Sequence, residues 1–143
     1  MTAYCTQADL VALFGEAELL ALTDRTGVGT IDAAVVAGAI TKASDLIDGY
    51  IGARYALPLS TVPPLLKGFC EDIARHALYT VERPKNVDDA RDAAVSYLKD
   101  VAAGRASLGA AVTPAPAPAS ASGTEILFEP GDRGMSREEL RKL

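Results

Sequence analysis

The chain has no tryptophan, three phenylalanines, five tyrosines, one histidine and two cysteines among its 143 residues. Each shortage closes off a class of protein. With so few rings, the core has to be built from alanine, valine and leucine, so helices must approach one another closely. One histidine and two distant cysteines leave no His-Glu-x-x-His and no Cys-x-x-Cys, and no glycine-rich loop ends in a lysine that could cradle a phosphate. Cationic clusters are also scarce. A net charge of −5 and a pI near 4.8 argue against sequence-independent DNA binding, which needs clustered lysine and arginine to displace counterions. They are compatible with a surface that DNA passes without sticking.

The start, Met1-Thr2-Ala3-Tyr4, carries no basic region followed by an apolar one, so no signal peptide is expected. The longest apolar run, Ala33 to Ile40, is too short to span a bilayer. The expectation is a soluble protein made in a cytoplasm. Cys5 and Cys70 could form one bridge, but their context is not that of a secreted disulfide scaffold. Cys70 reads as a small hydrophobe on a helix face.

What is present is a 49% hydrophobic chain, long enough for one domain that buries roughly two thirds of its unfolded surface. Thr6 with Asp9 makes an approximate capping box for a short first helix with an apolar face of Leu10, Leu13 and Phe14. Gly15 interrupts it, and Glu16 to Leu22 can add one or two turns. Thr23 to Gly29 reads as a loop. Asp32 caps a second helix, with Ile31 stapled against Val36, and Val36, Ile40, Ala43, Ile47, Tyr50 and Ile51 recur as its buried stripe. Gly38, Gly49 and Gly52 in that helix suggest close packing against a neighbour or a frayed end.

Pro58, Pro63 and Pro64 clamp an extended elbow, because each lacks an N–H and fixes φ. The third helix follows, with Leu66, Phe69, Cys70, Ile73, Ala77 and Val81 as its stripe and Glu71–Arg75 and Asp72–His76 as i,i+4 pairs. Arg83-Pro84 ends it. Asn86 caps a fourth helix with Val87, Ala90, Ala94, Leu98 and Val101 buried, and Gly104 stops it. The fold class expected is therefore all-α, a compact bundle of about four helices over residues 1–108. Residues 109–123, rich in proline, alanine and serine, read as a semi-rigid linker. Residues 124–143 form a C-terminal arm whose Glu125-Ile126-Leu127-Phe128-Glu129 has strand character. An apolar segment on a tether cannot fold alone; it docks back or pairs with another subunit, and a long tether favours the second.

No group stands out as reactive. His76 lies beside Asp72 and could be a tuned base, but Cys70 and His76, six positions apart on one helix, face different ways. Asp45 and Asp48 offer two carboxylates with no third ligand nearby, so neither a metal nor any other cofactor is expected. Arg54 and Arg75 are candidate partners for carboxylates of this chain or a neighbour. The candidate partner-binding residues are Ile126, Leu127 and Phe128 in the arm and Arg54 and Tyr55 at the end of the second helix. No catalytic residue is expected.

Four pieces in this order and spacing carry a family resemblance. They are Tyr4-Cys5-Thr6-Gln7-Ala8-Asp9-Leu10; Leu22-Thr23-Asp24; Ile47-Asp48-Gly49-Tyr50-Ile51-Gly52-Ala53-Arg54-Tyr55-Ala56-Leu57-Pro58-Leu59 with Val62-Pro63; and Cys70-Glu71-Asp72-Ile73-Ala74-Arg75-His76-Ala77-Leu78-Tyr79. Together they resemble the Mu gp36-like family of tailed-phage proteins over Tyr4 to Leu108, with the proline-rich linker outside the match. The resemblance implies a head-completion or adaptor protein that forms a ring, usually twelvefold, beneath the portal. It would extend the DNA channel toward the tail, sit in the virion neck and touch the portal and the next neck or tail-terminator protein. DNA would pass without specific binding, and no membrane would be involved. Gene transfer agents use the same parts. Two other readings predict different behaviour: a cytoplasmic helical interaction module forms a small complex without a ring, and a small hydrolase loses activity when Cys70 or His76 is changed.

Overall fold

The computed structural model describes residues 3–109. Five helices follow one another: α1 (Gln7–Phe14), α2 (Glu16–Thr23), α3 (Ala33–Ile51), α4 (Pro64–Leu78) and α5 (Lys85–Ala102). The described residues are all-α, as expected, with one helix more than the sequence suggests. The extra one is α2. Gly15 takes φ +91, which ends α1 with its N–H on the Val11 carbonyl, and the chain restarts at once as a separate helix.

The capping signals fall where side chains and backbone demand. Thr6 Oγ1 accepts from the Asp9 N–H, and the Asp9 carboxylate accepts from the Thr6 N–H at 2.9 Å. Asp32 accepts from the N–H groups of Ala34 and Val35 at the start of α3. Pro64 occupies the first turn of α4, where its missing N–H costs nothing. The elbow before it contains a cis Leu57–Pro58 peptide bond. α5 differs from expectation. Its cap is Pro84, with no side-chain hydrogen bond, and Asn86 already lies inside the helix. The proline supplies an extended residue with φ −63 directly before the helix, so no asparagine cap is needed.

α3 lies at the centre, packed on α4, α5 and α1. Val36, Ala43, Ile47 and Ile51 on α3, Leu66 and Cys70 on α4, and Leu98 and Val101 on α5 are at 0% exposure and form the middle of the core. The buried face of α4 follows the expected stripe at Leu66, Cys70 and Ile73 and departs from it at the C-terminal end. Ala74 and Leu78 are buried, whereas Ala77 is exposed and Val81, beyond the helix end at Leu78, is 88% exposed. Tyr79 turns extended at φ −72, ψ 121, so the helical period stops before it reaches Val81. Gly38 and Gly49 also depart from expectation. Neither has an atom of another element within 4 Å of where a Cβ would stand, so among the described residues they serve no close packing. Gly52 does, with its Cβ site 2.8 Å from the Asp48 carbonyl oxygen and 3.2 Å from Leu57 Cδ1.

Candidate interaction surfaces

Arg54 and Tyr55 follow directly on α3 and part company there. Tyr55 turns inward, 7% exposed, and its hydroxyl accepts the Leu108 N–H at 3.1 Å. This bond ties the segment after α5 to the end of α3. Arg54 stays on the surface, its guanidinium lying over Gly104 at the foot of α5. Gly104 has φ +78, and a Cβ there would stand 1.9 Å from Arg54 Nη1. Ile126, Leu127 and Phe128 lie outside the described residues. Of the expected partner-binding residues, then, Arg54 is the one presented at the described surface.

The charged side chains of α4 act across elements rather than along the helix. Arg75 does not pair with Glu71. Its Nε donates to Glu18 Oε1 of α2 at 2.6 Å, Tyr79 adds its hydroxyl to the same oxygen, and the guanidinium carbon sits 4.4 Å above the Phe14 ring. The half-buried Glu18 offers a stronger partner than a neighbour on the same helix. Glu71 is 8% exposed, and burial pushes its carboxyl up, against the pull of Lys67. Burial raises Asp72 as well, against the pull of Arg75.

His76 does not pair with Asp72 either. Its Nε2 lies 2.7 Å from Arg83 Nη1 and 3.2 Å from Asp88 Oδ1. Burial, then the Arg83 and Arg91 cations, hold the imidazole below its ordinary value, against Asp88 and Asp92. Arg83 therefore donates to a neutral ring nitrogen. Cys70 is at 0% exposure with its sulfur 3.0 Å from Cys5 Sγ, so its partner is Cys5 and not His76. Asp48 accepts a hydrogen bond from the Tyr4 hydroxyl, and Asp45 is exposed. Among the described residues no three His, Cys, Asp or Glu side chains gather to hold a metal. None of their helices is long and apolar enough to cross a membrane.

Shallow depressions and exposed apolar side chains mark the surface. One depression of about 370 Å³ lies at the N-terminus of α3, where Asp24 accepts from Val28 N–H at 2.9 Å and Gly29 N–H at 2.7 Å. These bonds hold Asp24 below the usual carboxylate range, so the loop is a closed structural turn rather than an open anion site. A second, of about 320 Å³, lies between α2 and the segment after α4, beside Val81. Leu57 on the elbow and Leu65 in the first turn of α4 are 40% and 42% exposed.

The motif pieces in the sequence thus turn out to be the joints of this fold. Tyr4 seals onto Asp48, Thr6 and Asp9 cap α1, Thr23 and Asp24 fasten the loop before α3, and Tyr55 holds Leu108. The profile of the family Bacteriophage Mu, Gp36 matches residues 4–125. The chain belongs to this family. The match runs past Leu108 and through the proline-rich stretch, further than the motif pieces reach. Gene product J of Escherichia phage Mu is 32% identical over 128 residues, covering 89% of this chain and 91% of the relative. The Mu-like prophage FluMu protein gp36 of Haemophilus influenzae is 42% identical over 83 residues, covering 56% of this chain and 57% of that relative. The protein is accordingly a phage or prophage protein.

Proposed function

We propose that this chain is a structural neck protein of a phage or gene transfer agent. It assembles as a ring, twelvefold in the particle, beneath the portal, extends the DNA channel and joins head to tail. The observation that carries the reading is the family match over residues 4–125, on a body whose motif residues are spent on joints rather than gathered at a reacting centre. The role is assembly and not catalysis. The acidic balance of −5 suits a lumen that DNA traverses without binding. Exposed Arg54, Leu57 and Leu65 and the arm residues Ile126, Leu127 and Phe128 are the surfaces for a neighbour, the portal and the next neck or tail-terminator protein.

Native mass spectrometry of the chain mixed with the portal oligomer of the same genome tests this. Many copies per portal, lost on truncation after Ser122, support an adaptor whose arm secures the ring. Binding kept without the arm leaves the adaptor and assigns the arm to the next component. Absence of binding between folded partners sinks the neck reading and leaves the helical interaction module.

A further inference from the structure

The N-terminal segment lies on the α3–α4 pair as a cover. Tyr4 N–H donates to Ser44 Oγ at 3.4 Å, the Tyr4 hydroxyl to Asp48, and Cys5 comes to rest on Cys70. The two sulfurs stand 3.0 Å apart, about 1 Å more than a covalent S–S bond of about 2.05 Å. Both residues are buried, at 3% and 0% exposure, and both are thiols. Packing alone does not require sulfur to meet sulfur across 65 positions of chain. Any pair of small apolar side chains would fill the same space.

We infer that Cys5 and Cys70 form an oxidation site, which a small peroxide converts to an intramolecular disulfide stapling the N-terminal segment to α4. Cys70 is the attacking sulfur. Cys5 S–H donates to it, Ser44 Oγ lies 3.7 Å away, and the N–H groups of Cys5 and Tyr4 add to the same field; together they favour its thiolate against burial, which opposes it. The thiolate attacks one oxygen of hydrogen peroxide, the O–O bond breaks, and hydroxide leaves and takes up a proton as water. The resulting Cys70 sulfenic acid is attacked by Cys5 sulfur, which forms the S–S bond and expels a second water. Two thiols are oxidised and one peroxide is reduced to two waters. Burial favours a peroxide over a bulky disulfide oxidant, and a brief lifting of the segment before α1 admits it. The closed loop spans α1, α2, α3 and the elbow, so the bond removes much freedom from the unfolded chain. The inference is independent of the neck reading, since its readouts need no portal.

The test treats the full chain with hydrogen peroxide and follows intact mass, thiols alkylatable after unfolding, non-reducing electrophoresis and Tm. A mass loss of two hydrogens, no remaining thiols, a monomeric band and a Tm raised by roughly 5 °C or more, all reversed by dithiothreitol, is the expected result. Peptide mapping then finds the Cys5 and Cys70 peptides linked. Cys5→Ala keeps the α4 core intact and abolishes the shift; Cys70→Ala does the same if it folds. Unchanged thiols overturn the inference, as do sulfinic acid on Cys70, a disulfide-linked dimer, or a bridge that leaves Tm where it was.

Discussion

Gly104 and Gly38 are the same residue type with opposite meanings. Gly104 has φ +78 and Arg54 over its Cβ site, whereas Gly38 and Gly49 sit in an ordinary helix facing open space. Gly104→Ala should cost about 1 kcal/mol, because left-handed backbone penalises a Cβ, while the guanidinium tip can swing aside. Gly38→Ala and Gly49→Ala should each stabilise the free chain by about 0.5–1 kcal/mol. Thermal or urea unfolding of the three variants reads both signs at once. The sequence shows two glycines in α3 and a third just after it but not what lies opposite them, so the close packing it suggests holds for Gly52 alone among the described residues.

His76 makes a second prediction at this scale. Its folded pKa is depressed, so the unfolded chain binds the proton more readily. The stability at stake is present above the unfolded value of 6.5 and is lost as pH falls through it toward the lower folded value. His76→Gln, which keeps a nitrogen and an oxygen near Arg83 and Asp88, should flatten that part of the stability curve. Denaturant midpoints between neutral pH and pH 5 measure it, and an unchanged slope would mean the ring is not held neutral. Asp9 acts at lower pH. Lys67 first, then Thr6, bring its carboxyl to about 2, a contribution present above 3.8 and lost as pH falls through the depressed value.

At the scale of elements, the helix starts are written locally and the helix contacts are not. Thr6, Asp9 and Asp32 act within three residues of their targets, so their roles are legible in the sequence. Asp32→Ala should cost about 1 kcal/mol by freeing two N–H groups at the start of α3, as chemical denaturation would show. Arg75 is different. Its partners Phe14 and Glu18 belong to α1 and α2, more than fifty positions away, and the i,i+4 rule points instead to Glu71. Arg75→Met keeps most of the stem and removes the charge. It should cost about 1–3 kcal/mol by stranding the half-buried Glu18, with a double cycle against Glu18→Gln reporting the coupling. The α4 stripe holds at Leu66, Cys70 and Ile73 and does not reach Val81, for a related reason. A period of 3.6 predicts a face only while the helix lasts, and extended Tyr79 ends it before Val81.

For the molecule as a whole, the described body closes on itself through Tyr55 and Leu108, with the Tyr97 hydroxyl donating to the Ser107 carbonyl at 3.0 Å. A chain ended at Gly109 should therefore melt within about 3 °C of the full chain, while one ended at Gly104 should lose more by stripping Leu108 from the core. Calorimetry of the two truncations decides it. A large loss on removing only residues 110–143 would mean that the arm docks back on its own bundle. The intersubunit role proposed for Ile126, Leu127 and Phe128 would then fall.

By itself the sequence determined the all-α class, the capping residues of α1 and α3, the proline elbow and the family, because these depend on neighbours within a turn or on ordered motif pieces. Tertiary structure alone decided that α2 docks through Glu18, that Tyr55 is a joint while Arg54 is surface, and that Cys5 meets Cys70. Those facts depend on which faces meet across forty or more residues. A local period carries no record of the partner on the far side of a contact.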